Sequence, residues 1–345
     1  MTKELTERQK LLLTLIVHEH SRTALPVASN ALVRQYSLPM SSATVRNEMT
    51  ALTEMGYLRQ PHTSAGRVPT EEGYRYLVSH LLNPTTLPAT TRNTISHQFY
   101  QSPQGLDQWL PLAASVLASH SQAASIVTAP HSERATFKHL ELIATRATQV
   151  LMVLVLVGGE IRQAFLSLDT PVSQEALSQV AARFNDLCRS ATLETLDKLP
   201  VPSDSLDQQV LRAIRDQLSQ VGKLVTGEVY LDGLTNVLAE PEFAEMDMAR
   251  SALRVLEERP LLNDLISRTI MTEKVGGVQV LIGGEGTWEE LRDCSVILTR
   301  YGVPDLLTGT LGVLGPMRIS YGRTISTIRF VAGLLTDLVS QTMVD

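Results

Sequence analysis

Cysteine and long apolar runs are both scarce in this chain of 345 residues. Its two cysteines, Cys188 and Cys294, have no second cysteine or histidine at metal-ligand spacing, so no disulfide framework or zinc motif is indicated. The longest apolar run, VLMVLVLV at residues 150–157, is far shorter than the ~20 residues that a membrane helix needs. Residues 1–10, MTKELTERQK, are charged where an export signal would be apolar. These absences predict a protein of the reducing cytoplasm with no membrane partner.

A strong excess of one charge is also missing. The net charge of −6 argues at first against a nucleic-acid partner. The charges are unevenly divided, however, because residues 1–82 hold nine Lys/Arg and seven Asp/Glu, against 21 and 29 in the remainder. A mildly basic module on an acidic body is compatible with DNA binding but does not establish it. The length and the hydrophobic content of 43% predict a globular protein of more than one domain.

Three helices are predicted near the start of the chain. Residues 6–9, TERQ, form a capping-box pattern. The apolar residues that follow at helical spacing are Leu12, Leu13, Ile16 and Val17. They predict a first helix over about 7–20, and a shorter one follows over 26–37. The third, SSATVRNEMTALTEMG at 41–56, has a serine as its N-cap and Gly56 at its end.

The third predicted helix has an apolar stripe and, opposite it, a polar face. The stripe consists of Val45, Met49, Leu52 and Met55. The polar side chains around the first turns are Ser42, Thr44, Arg46, Asn47 and Thr50. Arginine binds guanine O6 and N7, asparagine binds adenine N6 and N7, and threonine contacts a thymine methyl group or a phosphate. These residues therefore suit a DNA-reading helix, although an ordinary solvated face would have a similar composition.

The decapeptide PHTSAGRVPT, residues 61–70, follows a short predicted strand at 57–60. Its two prolines exclude a helix interior or a central strand. We interpret Arg67-Val68 as the returning strand of a two-stranded ribbon, before a helix that Thr70 caps. Gly66 is expected to give the tip its turn freedom. The residues suited to phosphate contact are His62, Thr63, Ser64, Gly66 and Arg67. Three helices and such a ribbon are typical of a winged helix-turn-helix, and a simple surface hairpin is the alternative.

The remainder predicts an α+β body. Residues 83–105 are rich in Pro, Thr and Gln and are interpreted as a linker with one short helix. The elements predicted after it are a helix at 107–119, a strand at 124–128, a β-meander at 137–146, 150–157 and 161–168, a helical block at 173–272, strands at 278–282, 295–299 and 310–314, and a final helix at 321–341. Strands on both sides of a helical block indicate one α+β domain with an insertion.

No constellation for catalysis, a metal or a cofactor stands out. The cluster at 283–286, GGEG, lacks the third glycine of a dinucleotide loop and is predicted to be a structural turn. The segment at 309–316, GTLGVLGP, lacks the lysine of a P-loop and indicates close strand packing. His139 and Glu141 share one face of a predicted strand, with no nucleophile near in sequence, and are interpreted as exposed residues. The sequence therefore does not predict an enzyme.

Residues 42–78, SATVRNEMTALTEMGYLRQPHTSAGRVPTEEGYRYLV, closely resemble the signature of the HrcA family, the heat-inducible transcription repressors of bacteria. The resemblance includes LTERQKLLLTLIVHEH at 5–20, VLIGGEGTWEELRDCSVILTRY at 280–301 and GTLGVLGPMRISYGR at 309–323, and is weak over about 170–270. The departures from the family pattern are Ala28, Gly286 and Met317.

The resemblance implies a winged-helix DNA-binding domain at 1–82 and, after the linker, a GAF-like domain at 106–172 and 273–345. That domain would be interrupted by an inserted dimerisation domain at 173–272. The implied partners are double-stranded DNA, a second copy of the chain and the chaperonin GroEL. The implied function is repression of chaperonin operons by a dimer on an inverted repeat, with activity lost on heat stress. A regulator whose GAF-like domain binds a small-molecule effector is the alternative.

Overall fold

A computed structural model of the chain describes residues 5–63, 65–82, 86–102, 105–131, 136–146, 148–157, 159, 161–200, 202–220, 228–243, 246–270, 275–304 and 306–342. Within these residues the α-helices are α1 (Glu7–Thr23), α2 (Ser29–Gln35), α3 (Ser42–Glu54), α4 (Glu71–Tyr76), α5 (Ala89–Gln101), α6 (Leu106–Ser121), α7 (Gln174–Leu187), α8 (Leu193–Asp197), α9 (Ser205–Gln220), α10 (Leu234–Leu238), α11 (Met246–Glu257), α12 (Arg259–Ile270) and α13 (Tyr321–Thr342). The strands are β1 (Leu58–Arg59), β2 (Val68–Pro69), β3 (Ala124–Thr128), β4 (Phe137–Arg146), β5 (Gln149–Leu156), β6 (Ile161–Ser167), β7 (Val229–Asp232), β8 (Val278–Ile282), β9 (Cys294–Val303) and β10 (Leu307–Pro316). The structure is α+β, as the sequence predicted.

The N-terminal unit consists of α1, α2, α3, an antiparallel ribbon of β1 and β2, and α4. Both sides of the predicted capping box are present at Thr6, whose side chain accepts from the Gln9 backbone. Ser41 caps α3, and Gly56 follows that helix with φ +84°. Local capping and helical periodicity thus determine these elements as predicted. The core beneath them comprises Leu12, Leu13, Ile16, Leu32, Val45 and Leu52.

The predicted linker contains more structure than expected. Instead of one short helix it holds the 13-residue α5. Ile95 and Phe99 of α5 are buried in the same core as α6 and α13. Residues 83–85 and 103–104 of this segment lie outside the described residues. The sequence underestimated this helix because its only buried side chains, Ile95 and Phe99, are surrounded by polar residues.

A five-stranded antiparallel sheet forms the centre of the body, in the order β7-β3-β10-β9-β8. The pairing of β3 with β10 joins Ala124 to Leu314, so strands from both sides of the helical block share one sheet. The helices α6 and α13 cover one face, and α10, α11 and α12 contribute to the core on the other. No helix in the described part of the chain is long and apolar enough to cross a membrane.

The meander forms a sheet of its own, in the order β4-β5-β6. Its core is shared with α7, α8 and α9, and β5 alternates buried and half-buried residues, which its almost uniformly apolar sequence did not predict. The expected division instead placed the meander in the GAF-like domain at 106–172 and 273–345. Conversely β7, α10, α11 and α12, expected in the insertion at 173–272, lie on the five-stranded sheet. The physical reason is that β10 and β7 occupy both edges of β3, which leaves β4 no partner there.

Candidate nucleic-acid interface

The polar face of α3 is exposed as the sequence predicted. Ser42, Arg46, Asn47 and Thr50 are exposed, while Thr44 is half-buried. On the opposite side Val45, Met49 and Leu52 are buried. The helix therefore presents one contiguous polar strip to solvent, with a basic and an amide side chain adjacent to each other.

Two threonines on this helix have partners within it. The Thr44 backbone N–H donates to Ser41 Oγ at 3.1 Å, and the two hydroxyl groups lie 2.9 Å apart. The Thr50 hydroxyl donates to the Arg46 carbonyl oxygen at 3.0 Å. Arg46 and Asn47 thus carry the polar hydrogens best suited to base edges, and Thr44 and Thr50 contribute shape and local order.

Side chains that sequence reasoning missed hold α3 in place. Glu48 of α3 accepts from Arg8 Nη1 at 3.3 Å and from Gln9 Nε2 at 3.2 Å, both on α1. Buried Glu19 of α1 accepts from Gln35 Nε2 at 2.7 Å. A hydrogen bond from Arg22 is the main cause that holds the pKa of Glu19 below its usual range. The acidic residues of the N-terminal unit therefore orient its helices, which composition alone did not indicate.

The ribbon tip is ordered by a residue outside the predicted set. Gln60 Nε2 donates to the carbonyl oxygens of Thr63 and Ala65, at 2.8 and 3.0 Å. His62 and Thr63 are exposed at the tip. Ser64 lies outside the described residues. A glutamine just before a Pro- and Gly-containing loop was the signal available, because its amide can bond to the loop backbone.

The role expected for Gly66 needs revision, and Arg67 has an internal partner that the sequence did not predict. Gly66 does not have a positive φ; instead, a β-carbon there would lie 2.3 Å from the Val27 carbonyl oxygen. Arg67 and Val27 exchange backbone hydrogen bonds of 2.8 and 2.9 Å. Close backbone approach, and not turn freedom, thus requires this glycine. Arg67 is half-buried, and its Nε donates to Thr53 Oγ1 of α3.

The other glycine-rich segment behaves as predicted. A β-carbon on Gly312 would lie 2.1 Å from the Ile297 carbonyl oxygen of the neighbouring strand, which confirms close strand packing. His139 Nε2 lies 2.8 Å from Glu141 Oε1 on the exposed face of β4, so these are exposed residues, as interpreted.

Three helices with an exposed polar strip, set beside a ribbon and seated on an α+β body, are typical of transcriptional regulators. Sequence comparison gives the family. The profile described as "HrcA protein C terminal domain" matches residues 107–325. Heat-inducible transcription repressor HrcA of Roseiflexus castenholzii is 45% identical over 99% of this chain and 96% of its own length. The repressor of the same name from Chloroflexus aurantiacus is 42% identical over 99% and 95%. The chain belongs to the HrcA family of heat-inducible transcription repressors.

A solved structure shares the fold. The crystal structure of a hypothetical protein, 22% identical, matches with a TM-score of 0.58 over 98% of both chains. At that identity the likeness concerns the fold alone.

Proposed function

We propose that residues 1–82 form a winged helix-turn-helix and that the chain represses chaperonin operons by binding an inverted-repeat operator as a homodimer. The observation that carries the proposal is the exposed strip of α3, which combines Arg46 and Asn47 beside the ribbon. In a helix-turn-helix the second helix enters the major groove and contacts base edges near its N-terminus. Arg46 would bind guanine and Asn47 adenine, each with two hydrogen bonds.

The ribbon would contact the sugar–phosphate backbone beside the major groove. His62 and Thr63 are exposed at its tip, and Ser64 belongs to the same proposed set. Gly66 would act indirectly, by packing on the Val27 backbone and so holding the ribbon in position. Arg67 lies at the junction of ribbon and helix, where Thr53 holds its Nε, so its remaining guanidinium N–H groups would face a phosphate. Such contacts set register and affinity without reading sequence.

We assign dimerisation to the outer face of the β4-β5-β6 sheet. Exposed apolar residues on this face are Ile143, Ile161 and Phe165. Half-buried Leu151 and Val155 lie between them, paired across strands with Phe165 and Ile161. Clusters of exposed apolar residues with polar neighbours are typical of protein–protein interaction sites. A second copy would cover it around a two-fold axis, as an inverted repeat requires. The inserted dimerisation domain would then be the unit built from β4–β6 and α7–α9, within a GAF-like body.

Dependence on the chaperonin GroEL is proposed from the topology. The central sheet pairs Ala124 with Leu314, and the meander and its helices lie between them in sequence. Long-range pairing of this kind folds slowly and exposes apolar strands meanwhile. Unaided refolding should therefore give a low yield of operator-binding protein, and chaperonin with ATP should raise it. Full operator binding after unaided refolding would count against the dependence.

The proposal is tested by footprinting the purified protein upstream of chaperonin genes from its own genome. Protection of two symmetric arms is expected, with much weaker binding to a probe that carries one arm. The Arg46→Ala/Asn47→Ala variant should lose the footprint and should keep the fold, because both side chains are exposed. Equal binding to operator and random DNA would reject sequence-specific repression.

A small-molecule effector is less well supported. The body has an open cavity of about 350 Å³ lined by charged residues that include Arg254 and Arg292. However, Arg254 Nε donates to Glu258 at 2.7 Å and Arg292 Nε to Asp293 at 3.2 Å. Its two arginines thus already have carboxylate partners, and the repressor without an effector remains the proposed function.

A further inference from the structure

The C-terminal end of α1 is held by an arginine of the body. Arg318 Nη1 donates to the Ser21 carbonyl oxygen at 3.2 Å, and Ser21 lies in the last turn of α1. Carbonyl groups there have no partner within the helix and attract cations. The Arg318 side chain is only 10% exposed. Glu242, whose Oε1 is 2.5 Å from Arg318 Nε, and Glu240 hold the guanidinium in place. The body therefore presents a fixed charge to α1.

A second contact joins α4 to the end of β8. Arg75 Nη2 donates to the Ile282 carbonyl oxygen at 3.1 Å. The same guanidinium pairs with Glu71 and Glu72 one turn earlier on α4. A β-carbon on Gly283 would lie 2.3 Å from Glu71 Cδ. The first glycine of the GGEG cluster thus makes room for a carboxylate of the N-terminal unit.

A buried aromatic contact lies between these two points. The rings of Tyr74 on α4 and Tyr321 on α13 have centroids 6.0 Å apart, and both side chains are buried. His20 Nδ1 of α1 lies 2.9 Å from the Tyr74 hydroxyl oxygen. We call the set of contacts made by Arg318, Arg75, Gly283 and the two tyrosines the seam. It attaches the N-terminal unit to the body by α1 and α4 and leaves the polar strip of α3 exposed.

We infer that Arg75 and Arg318 are positioning residues, which fix the orientation of the N-terminal unit on the body and so set the operator spacing that the dimer accepts. The inference rests on the proposed function. If the body pairs two chains, the direction of each α3 depends on how rigidly its unit is attached. The seam supplies that rigidity with two guanidinium contacts, one from Arg318 and one from Arg75, and one buried aromatic pair.

Operator spacing is the readout that a merely stabilising role would not change. B-DNA turns once in about 10–10.5 base pairs, so inserting two base pairs between the arms rotates one arm by about 70°. A rigid dimer then loses its second arm, whereas loosely attached units follow the rotation. The gain from the second arm depends on this geometric match.

The first experiment measures binding of the full-length chain to operators with zero, two and five inserted base pairs. The variants are Arg75→Ala and Arg318→Ala. The matched control is Arg268→Ala, because Arg268 also pairs with an acidic residue four positions earlier, Asp264, but on the exposed side of α12. Two inserted base pairs should weaken binding of the wild type and of Arg268→Ala by about tenfold or more, and of the seam variants by less than about threefold. Seam variants with the wild-type spacing profile would overturn the inference.

The second experiment needs no DNA. Spin labels are attached to Cys substituted for Arg34 on α2 and Arg329 on α13, both exposed, and labelled chain is diluted with unlabelled chain. Cys188 and Cys294 are buried and should not react. The wild type should give one narrow distribution of distances between the two labels. Arg75→Ala or Arg318→Ala should broaden this distribution, whereas Arg268→Ala should not. An unchanged distribution would overturn the seam itself. If the variants broaden the distance distribution but the protein binds a one-arm probe as tightly as the full operator, the spacing role and the proposed function are both overturned.

Discussion

The guanidinium Nε of Arg67 donates to Thr53 Oγ1 at 3.0 Å, which ties the ribbon to α3. If the remaining guanidinium N–H groups bind a phosphate, Arg67→Ala should weaken binding to all DNA sequences and flatten the logarithmic salt dependence by about 0.9. Thr53→Val removes only internal hydrogen bonds, the one from Arg67 and the one that Thr53 donates to the Met49 carbonyl oxygen, and should leave the slope unchanged. His62→Ala should also weaken binding irrespective of sequence. Titrations over a salt series measure these slopes, and an unaltered slope for Arg67→Ala would exclude the phosphate contact.

Arg46→Ala should cost about 1–3 kcal/mol of operator binding and relax base preference at one or two positions. The reason is that its exposed guanidinium would lose two hydrogen bonds to a guanine. Competition with random DNA and a set of single-base operator variants measures both effects. Arg92→Ala, on the exposed surface of α5, is the control and should change neither. An equal loss on operator and random DNA would mean that Arg46 contacts only phosphate.

Gly66→Ala should destabilise the N-terminal unit by about 1–3 kcal/mol, the usual range for forcing extra volume into a packed site. The added methyl group would collide with the Val27 backbone. Gly333→Ala is the matched control, because α13 has open space around that glycine and alanine favours a helix. Denaturant unfolding followed by circular dichroism compares the two. Equal stability of Gly66→Ala and the wild type would contradict the close approach.

Lowering the pH should reduce the free energy of unfolding through His20, a residue of α1. Burial lowers the pKa of His20 to about 4, against the opposing influence of Glu242. Because the folded pKa lies below the unfolded value of about 6.5, folding favours the neutral imidazole. The resulting stability is fully present above about pH 6.5. This contribution is lost as the pH falls from about 6.5 to about 4. His20→Gln should reduce the difference between unfolding free energies measured at pH 7 and pH 5. Burial also lowers the pKa of His120. His120→Gln therefore measures how much of the pH dependence of stability comes from this second histidine.

Phe165→Glu should convert the proposed dimer into a monomer, because it would place a carboxylate within the proposed apolar interface. Phe165 is 70% exposed in the single chain, so the substitution should not disturb the fold. Leu187→Glu is the control: Leu187 is 57% exposed at the end of α7, away from the outer face of the sheet. Sedimentation equilibrium distinguishes the two masses. A Phe165→Glu protein that remained dimeric would place the interface elsewhere.

Elements specified by neighbouring residues were predicted well. The capping box at Thr6 and the buried stripe through Val45 and Met49 both depend on residues a few positions apart. The polar face of α3 followed from the same periodicity. The helix α5 was underestimated because Ile95 and Phe99 are its only buried residues, which is too few for a clear periodic pattern.

Relationships between distant segments could not be predicted in this way. Gly66 was expected to serve a turn, but the reason for it is Val27. The grouping of β4–β6 was missed because strand periodicity shows that a strand exists and which face is buried, but does not identify its partner. Gly283 was predicted to be in a turn, and its proximity to Glu71 became apparent only from the fold.

The sequence by itself therefore determined the family, the helices of the N-terminal unit and the side chains offered by α3. Capping, periodicity and turn chemistry act over a few residues, so they can be recognised without a fold. Only the tertiary structure decided which strands share a sheet, why Gly66 must lack a side chain and how Arg318 meets Ser21. Those features depend on backbone approach and hydrogen bonding between segments that are far apart in the chain, and no local pattern records which segments meet.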